Sequence, residues 1–222
     1  YDATFTFLAG SFPFSTQYPF TVTLHQRLTR LEDDTMFYLD AGAEAWKAIR
    51  TSVTKNVNGL HWAGDNLVGV GSKGLVVRSV GEAWATQESG VSEDLRAVAG
   101  VPGGSLVAVG DLGNITRFDG IVWEKMASPV AGDLRSVWML SDTEGWAVGS
   151  YATAQMRNGA WTAVTGNAFR NLYGVYGFAA NDVWAVGAAG VVLRFDGITW
   201  NFVPSGTNIG LRAVWGASDD DV

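Results

Sequence analysis

The chain has 222 residues, 47% of them hydrophobic and 17% charged, which is enough apolar material for one large all-β domain or two small ones. A net charge of −7 excludes a surface that holds nucleic acid or anionic lipid by counterion release. The absence of cysteine excludes disulfides, thiolate metal sites and a cysteine nucleophile, and leaves the redox compartment open.

A chain that begins at Tyr1, with neither a basic nor an apolar leader, reads as a processed mature chain or a fragment. No stretch of about 18 apolar residues lacks a charge or strong turn signal, so no membrane span is expected. Residues 1–20 form an N-terminal extension outside the pattern that follows. Within it, 4–8 alternate like a strand, and 11–20 hold three phenylalanines, two prolines and a tyrosine. Such a segment needs a surface to cover. It packs across its own domain, or it adds a strand to another molecule and so mediates self-association.

From residue 21 the spacing turns periodic. Residues 28–31 can supply one strand and 36–46 two more, with Trp46 lying 38 residues before Trp84. Three anchors then recur in phase. An apolar run closes on Gly71, Gly110, Gly149 and Gly187; a tryptophan follows at Trp84, Trp123, Trp161 and Trp200; and a leucine-led run opens at 95, 134, 172 and 211. Successive glycines are 39, 39 and 38 residues apart. Self-similarity of this period marks a repeat architecture.

One unit shows the local chemistry. Residues 172–177 read as strand a, 179–182 as a turn rich in Ala, Asn and Asp, and 183–186 as strand b. The glycines of 187–190 make a tight turn into strand c at 191–195, and Asp196-Gly197 turns the chain into strand d at 198–203. Runs of four to six residues rich in Val, Ile, Trp and Phe suit strands. Four antiparallel strands per unit of about 40 residues make the blade of a β-propeller.

The expected fold is all-β: a β-propeller domain over 21–222, with complete blades at 57–92, 93–131, 132–168 and 169–207. Residues 208–222 supply strand a of a fifth blade. Joined to strands b, c and d from 21–56, they would close a five-bladed ring and protect its edges. The rival is a longer protein that continues beyond Val222 into six or more blades. The tryptophan repeated once per blade is expected at the packing surface between blades; an aromatic binding platform is the alternative.

Two further segments carry a family resemblance. FDGIVW at 118–123 and FDGITW at 195–200 resemble a shortened Asp-box, in which an Asp-Gly hairpin precedes a strand tryptophan, and RNGAWT at 157–162 is a degenerate copy. Over residues 60–222 the chain resembles bacterial propellers of the photosystem II assembly factor and Asp-box (BNR) type. The resemblance implies the propeller fold. For function it implies a range, from assembly factors through sialidase-like hydrolases to surface proteins. The full Ser-x-Asp-x-Gly box of the sialidases is missing.

Little in the chain suggests catalysis. Two histidines, His25 and His61, with no cysteine cannot form a familiar structural zinc site. No G-x-S-x-G elbow, P-loop or dinucleotide fingerprint occurs. Acids gather after strand a at Asp65, at Asp142 with Glu144, at Asp182 and at 219–221. Oxygen ligands of this kind could hold Ca²⁺, but the spacing is that of turn-forming aspartates, so no cofactor is expected.

Eleven arginines against four lysines are the sharper signal. Arg96, Arg135 and Arg212 each follow the leucine opening strand a, and Arg170 lies near the start of its own blade. Together they could circle one channel mouth and receive an anion or carboxylate, unless Asp94 and Asp133 absorb their charge in ion pairs. A second series, Arg78, Arg117, Arg157 and Arg194, closes strand c at the opposite face and is expected to be solvated. The turns after strand b vary between blades, bringing Lys73, Asp111 and Tyr151 to the same mouth as the first series.

The leading expectation is a non-catalytic binding or scaffold module of a secreted or envelope-associated bacterial protein, located extracellularly or in the cell envelope, with another protein as ligand. A glycan-binding lectin and a sialidase-like hydrolase or lyase are the alternatives. The lectin should repeat its pocket in every blade, and the hydrolase needs an acid–base pair that is not evident.

Overall fold

The computed structural model describes residues 4–7, 20–23, 35–40, 45–50 and 54–222, except 65, 81, 82, 169, 219 and 220. It contains four sheets of four antiparallel strands and two strand pairs. β1 (Thr4–Phe7) pairs with β2 (Phe20–Thr23), across the boundary expected at residue 20, and β3 (Thr35–Asp40) pairs with β4 (Ala45–Arg50). The first blade comprises β5 (Val57–Ala63), β6 (Asn66–Gly71), β7 (Leu75–Val80) and β8 (Ala83–Glu88). The second comprises β9 (Leu95–Gly100), β10 (Leu106–Gly110), β11 (Ile115–Phe118) and β12 (Trp123–Lys125). β13 (Leu134–Ser141), β14 (Glu144–Gly149), β15 (Thr153–Arg157) and β16 (Ala160–Ala163) form the third. β17 (Leu172–Ala179), β18 (Asp182–Gly187), β19 (Val192–Phe195) and β20 (Trp200–Phe202) form the fourth. Each blade is a simple up-and-down meander.

The blades pack face to face through apolar clusters. Phe118 and Trp123 of the second blade bury with Val68, Val70 and Val76 of the first. Met156 and Trp161 meet Val107, Val109 and Ile115. Phe195 and Trp200 meet Trp146 and Val148, the Trp146 ring standing edge-on to both. Three of the repeated tryptophans are therefore inter-blade core. Each removes on the order of 150–250 Å² from water, about 4–6 kcal/mol of transfer free energy before conformational costs.

Inner strands of neighbouring blades also abut. The Asn58 amide donates to the Leu95 carbonyl, and the Val175 N–H donates to Ser136 Oγ. A Cβ on Gly59 would stand 3.0 Å from the Ala97 Cα, and one on Gly174 would stand 3.2 Å from the Ala213 Cα. Ala213 thus occupies, against the fourth blade, the place that Ala97 holds against the first.

Among the described residues four blades are assembled, not the expected five. Residues 211–216 lie in the place of a fifth inner strand but join no ladder, and β3–β4 is a sheet of its own. An inner strand needs a second strand to satisfy its peptide groups, and none is paired to 211–216 among the described residues. The expected strand at 28–31 lies outside the described residues.

Candidate functional site

Every inner strand carries a β-bulge near its start. The ladder passes from Val57 to Gly59, from Leu95 to Ala97, from Leu134 to Ser136 and from Leu172 to Gly174. The residue skipped is Asn58, Arg96, Arg135 or Tyr173. A bulge re-aims one side chain out of the alternating pattern, and here it does so once per blade at the same height. Arg212 stands at the corresponding position after Leu211. One mouth of the propeller is therefore lined by Asn58, Arg96, Arg135, Tyr173 and Arg212.

These side chains differ in how they are engaged. Arg96 forms a two-pronged ion pair with Asp111, at 2.7 and 2.6 Å, with Asp94 3.7 Å away. The Asp111 carboxylate accordingly raises the pKa of Arg96. Arg135 donates to the Asn171 amide oxygen and lies over the Tyr173 ring, 5.0 Å from its centre. Arg212 lies over the same ring at 4.4 Å. Neither Arg135 nor Arg212 has an ion-pair partner among the described residues. Asp133 shares a cavity of about 620 Å³ with Arg96, Asp111 and Arg135, but its carboxylate accepts from the Leu112 N–H.

The turns after strand b stand over this mouth. Lys73, Leu112, Tyr151 and Ala189 all adopt positive φ there, between 50° and 56°. The Lys73 N–H donates to Asp94 and the Leu112 N–H to Asp133, so these two turns are latched to the next blade. Tyr151 is 59% exposed. The structure thus brings Arg96, Arg135, Arg212, Lys73, Asp111 and Tyr151 to one face. Arg170 turns away, its guanidinium 4.7 Å from the centre of the Phe202 ring on the outermost strand of the fourth blade.

The arginine pattern in the sequence does not include Tyr173, which sits between two arginines without an ion-pair partner among the described residues. Its signal is positional: it is the second residue of an inner strand, where the second and third blades carry Arg96 and Arg135 and the segment after the fourth carries Arg212. The opposite mouth is aromatic, with Tyr176 5.3 Å from Phe178 and 6.5 Å from Trp215 between ring centres. His61 lies at that end, and burial lowers its pKa.

The second arginine series is partly engaged rather than simply solvated. Arg194 pairs with Asp182 at 2.7 Å and covers the Trp184 ring, and Arg78 lies over Phe118 of the next blade. Among the described residues no three histidines or acids gather as metal ligands. Among the described residues no helix is long and apolar enough to cross a membrane.

Neither a protein-family model nor a curated protein sequence matches this chain. Solved structures do. YCF48 from Cyanidioschyzon merolae superposes with a TM-score of 0.57 at 18% identity, over 71% of this chain and 59% of its own. YCF48 bound to D1 peptide gives 0.55 at 19%, over 68% and 55%. The WD40 β-propeller domain of Doa1 gives 0.58 at 14%, over 71% and 57%. The chain thus spans 55–59% of the lengths of these structures. Likeness at this identity establishes the β-propeller fold.

Proposed function

We propose that the chain is a non-catalytic protein-binding scaffold, a β-propeller that takes an acidic segment of its partner at the mouth carrying Arg135, Tyr173 and Arg212. One observation carries the reading. Two guanidiniums rest on a single phenol ring without a carboxylate partner among the described residues, whereas Arg96 next to them is neutralised by Asp111. Planar forks held by stacking are pre-oriented for a carboxylate and lose little entropy on binding it. The variable turns bearing Lys73, Leu112 and Tyr151 would then select the neighbouring residues. Propellers of similar fold supply support: one is the YCF48 bound to D1 peptide, another a WD40 domain.

The test is an array of acidic and neutral peptides, followed by titration of the best binder. A charge-assisted hydrogen bond contributes about 1.5–3 kcal/mol. Arg212→Ala and Arg135→Ala should therefore each weaken binding roughly 10- to 100-fold, more steeply at low salt. Arg157→Ala, in the series at the opposite face, should leave it unchanged. Equal loss in all three variants, or no preference for acidic peptides, would overturn the proposal.

A further inference from the structure

The four turns over the arginine mouth are alike in backbone and unlike in side chain. Each places its second residue at positive φ: Lys73, Leu112, Tyr151 and Ala189. In the first three blades that residue is long or aromatic and exposed, so it stands over the mouth as a wall. The fourth turn, Ala188-Ala189, carries nothing but methyl groups. The wall is therefore lowest at the fourth blade.

Charge is distributed in the same sense. Asp94, Asp111 and Asp133 gather on the side of the second and third blades, the first two 3.7 and 2.6 Å from Arg96. The segments over the fourth blade, 170–171, 187–191 and 203–213, contain no acid and hold Arg170 and Arg212. A partner's acidic segment seated on Arg135 and Arg212 is repelled by the aspartates and drawn toward the fourth blade.

A second receptor stands on that path. Arg170 leaves the mouth yet stays on the same side of the propeller: its carbonyl accepts from the Tyr151 N–H, and Asn171 beside it accepts from Arg135. Arg170 is exposed, its guanidinium lies 4.7 Å from the centre of the Phe202 ring, and it has no ion-pair partner among the described residues. Phe202 is itself 51% exposed. A groove of about 830 Å³ runs beside it, between the turn at 189–190 and residues 203–208. A guanidinium held on an aromatic face is the device already seen at Tyr173, here repeated at the rim.

We propose that the partner's segment leaves the mouth over Ala189 and sets a second carboxylate on Arg170, with Phe202 as the apolar contact beside it. This rests on the reading of the mouth given above and adds its direction and spacing. From β17, which carries Tyr173, to β20, which carries Phe202, the blade makes three interstrand steps, about 14 Å in all. An extended chain advances about 3.3 Å per residue, so the two acids stand about four positions apart.

The probe is the best singly acidic peptide from the array, resynthesised with a second glutamate at every other position in turn. Affinity should peak with the acids about four positions apart on one side, roughly fivefold above the parent peptide, the upper end for an exposed ion pair. In the Arg170→Ala protein the peak should vanish, so that the doubly and singly acidic peptides bind alike. Glutamine in place of the added glutamate should remove the gain from the native protein, which keeps the test valid if the variant fails to fold. No gain at any spacing, an equal gain at all spacings, or a peak that survives Arg170→Ala would overturn the proposal. The mouth reading would stand in those cases as long as the parent peptide binds and Arg212→Ala weakens it. If no acidic peptide binds, both fall.

Discussion

Four glycines hold the inner ends of the blades for a reason that backbone dihedrals alone do not reveal. Gly71, Gly110 and Gly187 have φ between −164° and −170°, an extended geometry open to any residue. What excludes a side chain is proximity: a Cβ on Gly110 would lie 2.1 Å from the Asp94 carbonyl oxygen and 2.9 Å from the Leu95 Cα. Both obstacles are backbone, so neither can swing aside. Gly110→Ala should cost about 3 kcal/mol, the upper part of the range for overpacking, and urea denaturation would measure it as a lower midpoint at unchanged slope. The adjacent turn offers the opposite case. Ala189 sits at φ 54°, where an L-residue is strained. Ala189→Gly relieves that strain at a cost in unfolded-chain entropy, with an expected net gain of up to about 1 kcal/mol.

At the scale of the element, the hairpins and turns are pinned by carboxylates. Asp119 accepts the N–H groups of Val122 and Ile121, and these bonds lower its pKa; Asp196 is lowered in the same way by Thr199 and Ile198. Asp142 ties two blades together by accepting from the Ser105 hydroxyl and N–H, which lower its pKa in that order. A carboxylate with a depressed folded pKa contributes stability that is fully present above its unfolded value and is lost as pH falls through the folded one. The melting temperature should therefore hold steady from neutral pH down to about pH 5 and decline below about pH 4. Asp142→Ala should melt lower at neutral pH and lose less on acidification, as calorimetry across that range would show. A parallel decline in both proteins would remove Asp142 from the account.

The elements were also where sequence reading succeeded and failed. The tryptophans, the closing glycines and the Asp-Gly hairpins recur by type and spacing, so the blades could be read directly. The bulge does not announce itself, because it arises from the way each inner strand meets its neighbour. Residue type and spacing mark Arg96, Arg135 and Arg212, but neither marks Tyr173, which occupies the same bulged place. Arg170 is close to them in sequence pattern, but it belongs to the linker before its strand and reaches the blade's rim.

For the whole molecule, the energetics follow from blades too small to stand alone. Every internal joint buries its apolar side chains, and the two terminal flanks do not: Trp62 is 62% exposed on the first blade, and Trp215 is 59% exposed beyond the fourth. Leu60 is exposed with Trp62 on the same face of the first blade. Apolar flanks of this kind associate with whatever complements them. A protein cut to residues 54–222 retains all four sheets but loses β3–β4. If the hairpin closes the ring, this arc should self-associate flank to flank, with a sedimentation coefficient that rises with concentration and with dye binding typical of exposed apolar surface. The full chain at the same concentrations should sediment as one species. Removal of residues 1–20 alone leaves β3–β4 in place and should not reproduce the association, which separates ring closure from strand exchange through the N-terminal extension. An arc of 54–222 that stays monomeric and binds no dye would mean that its flanks satisfy each other without the hairpin, and the fifth blade would have no energetic reason to form.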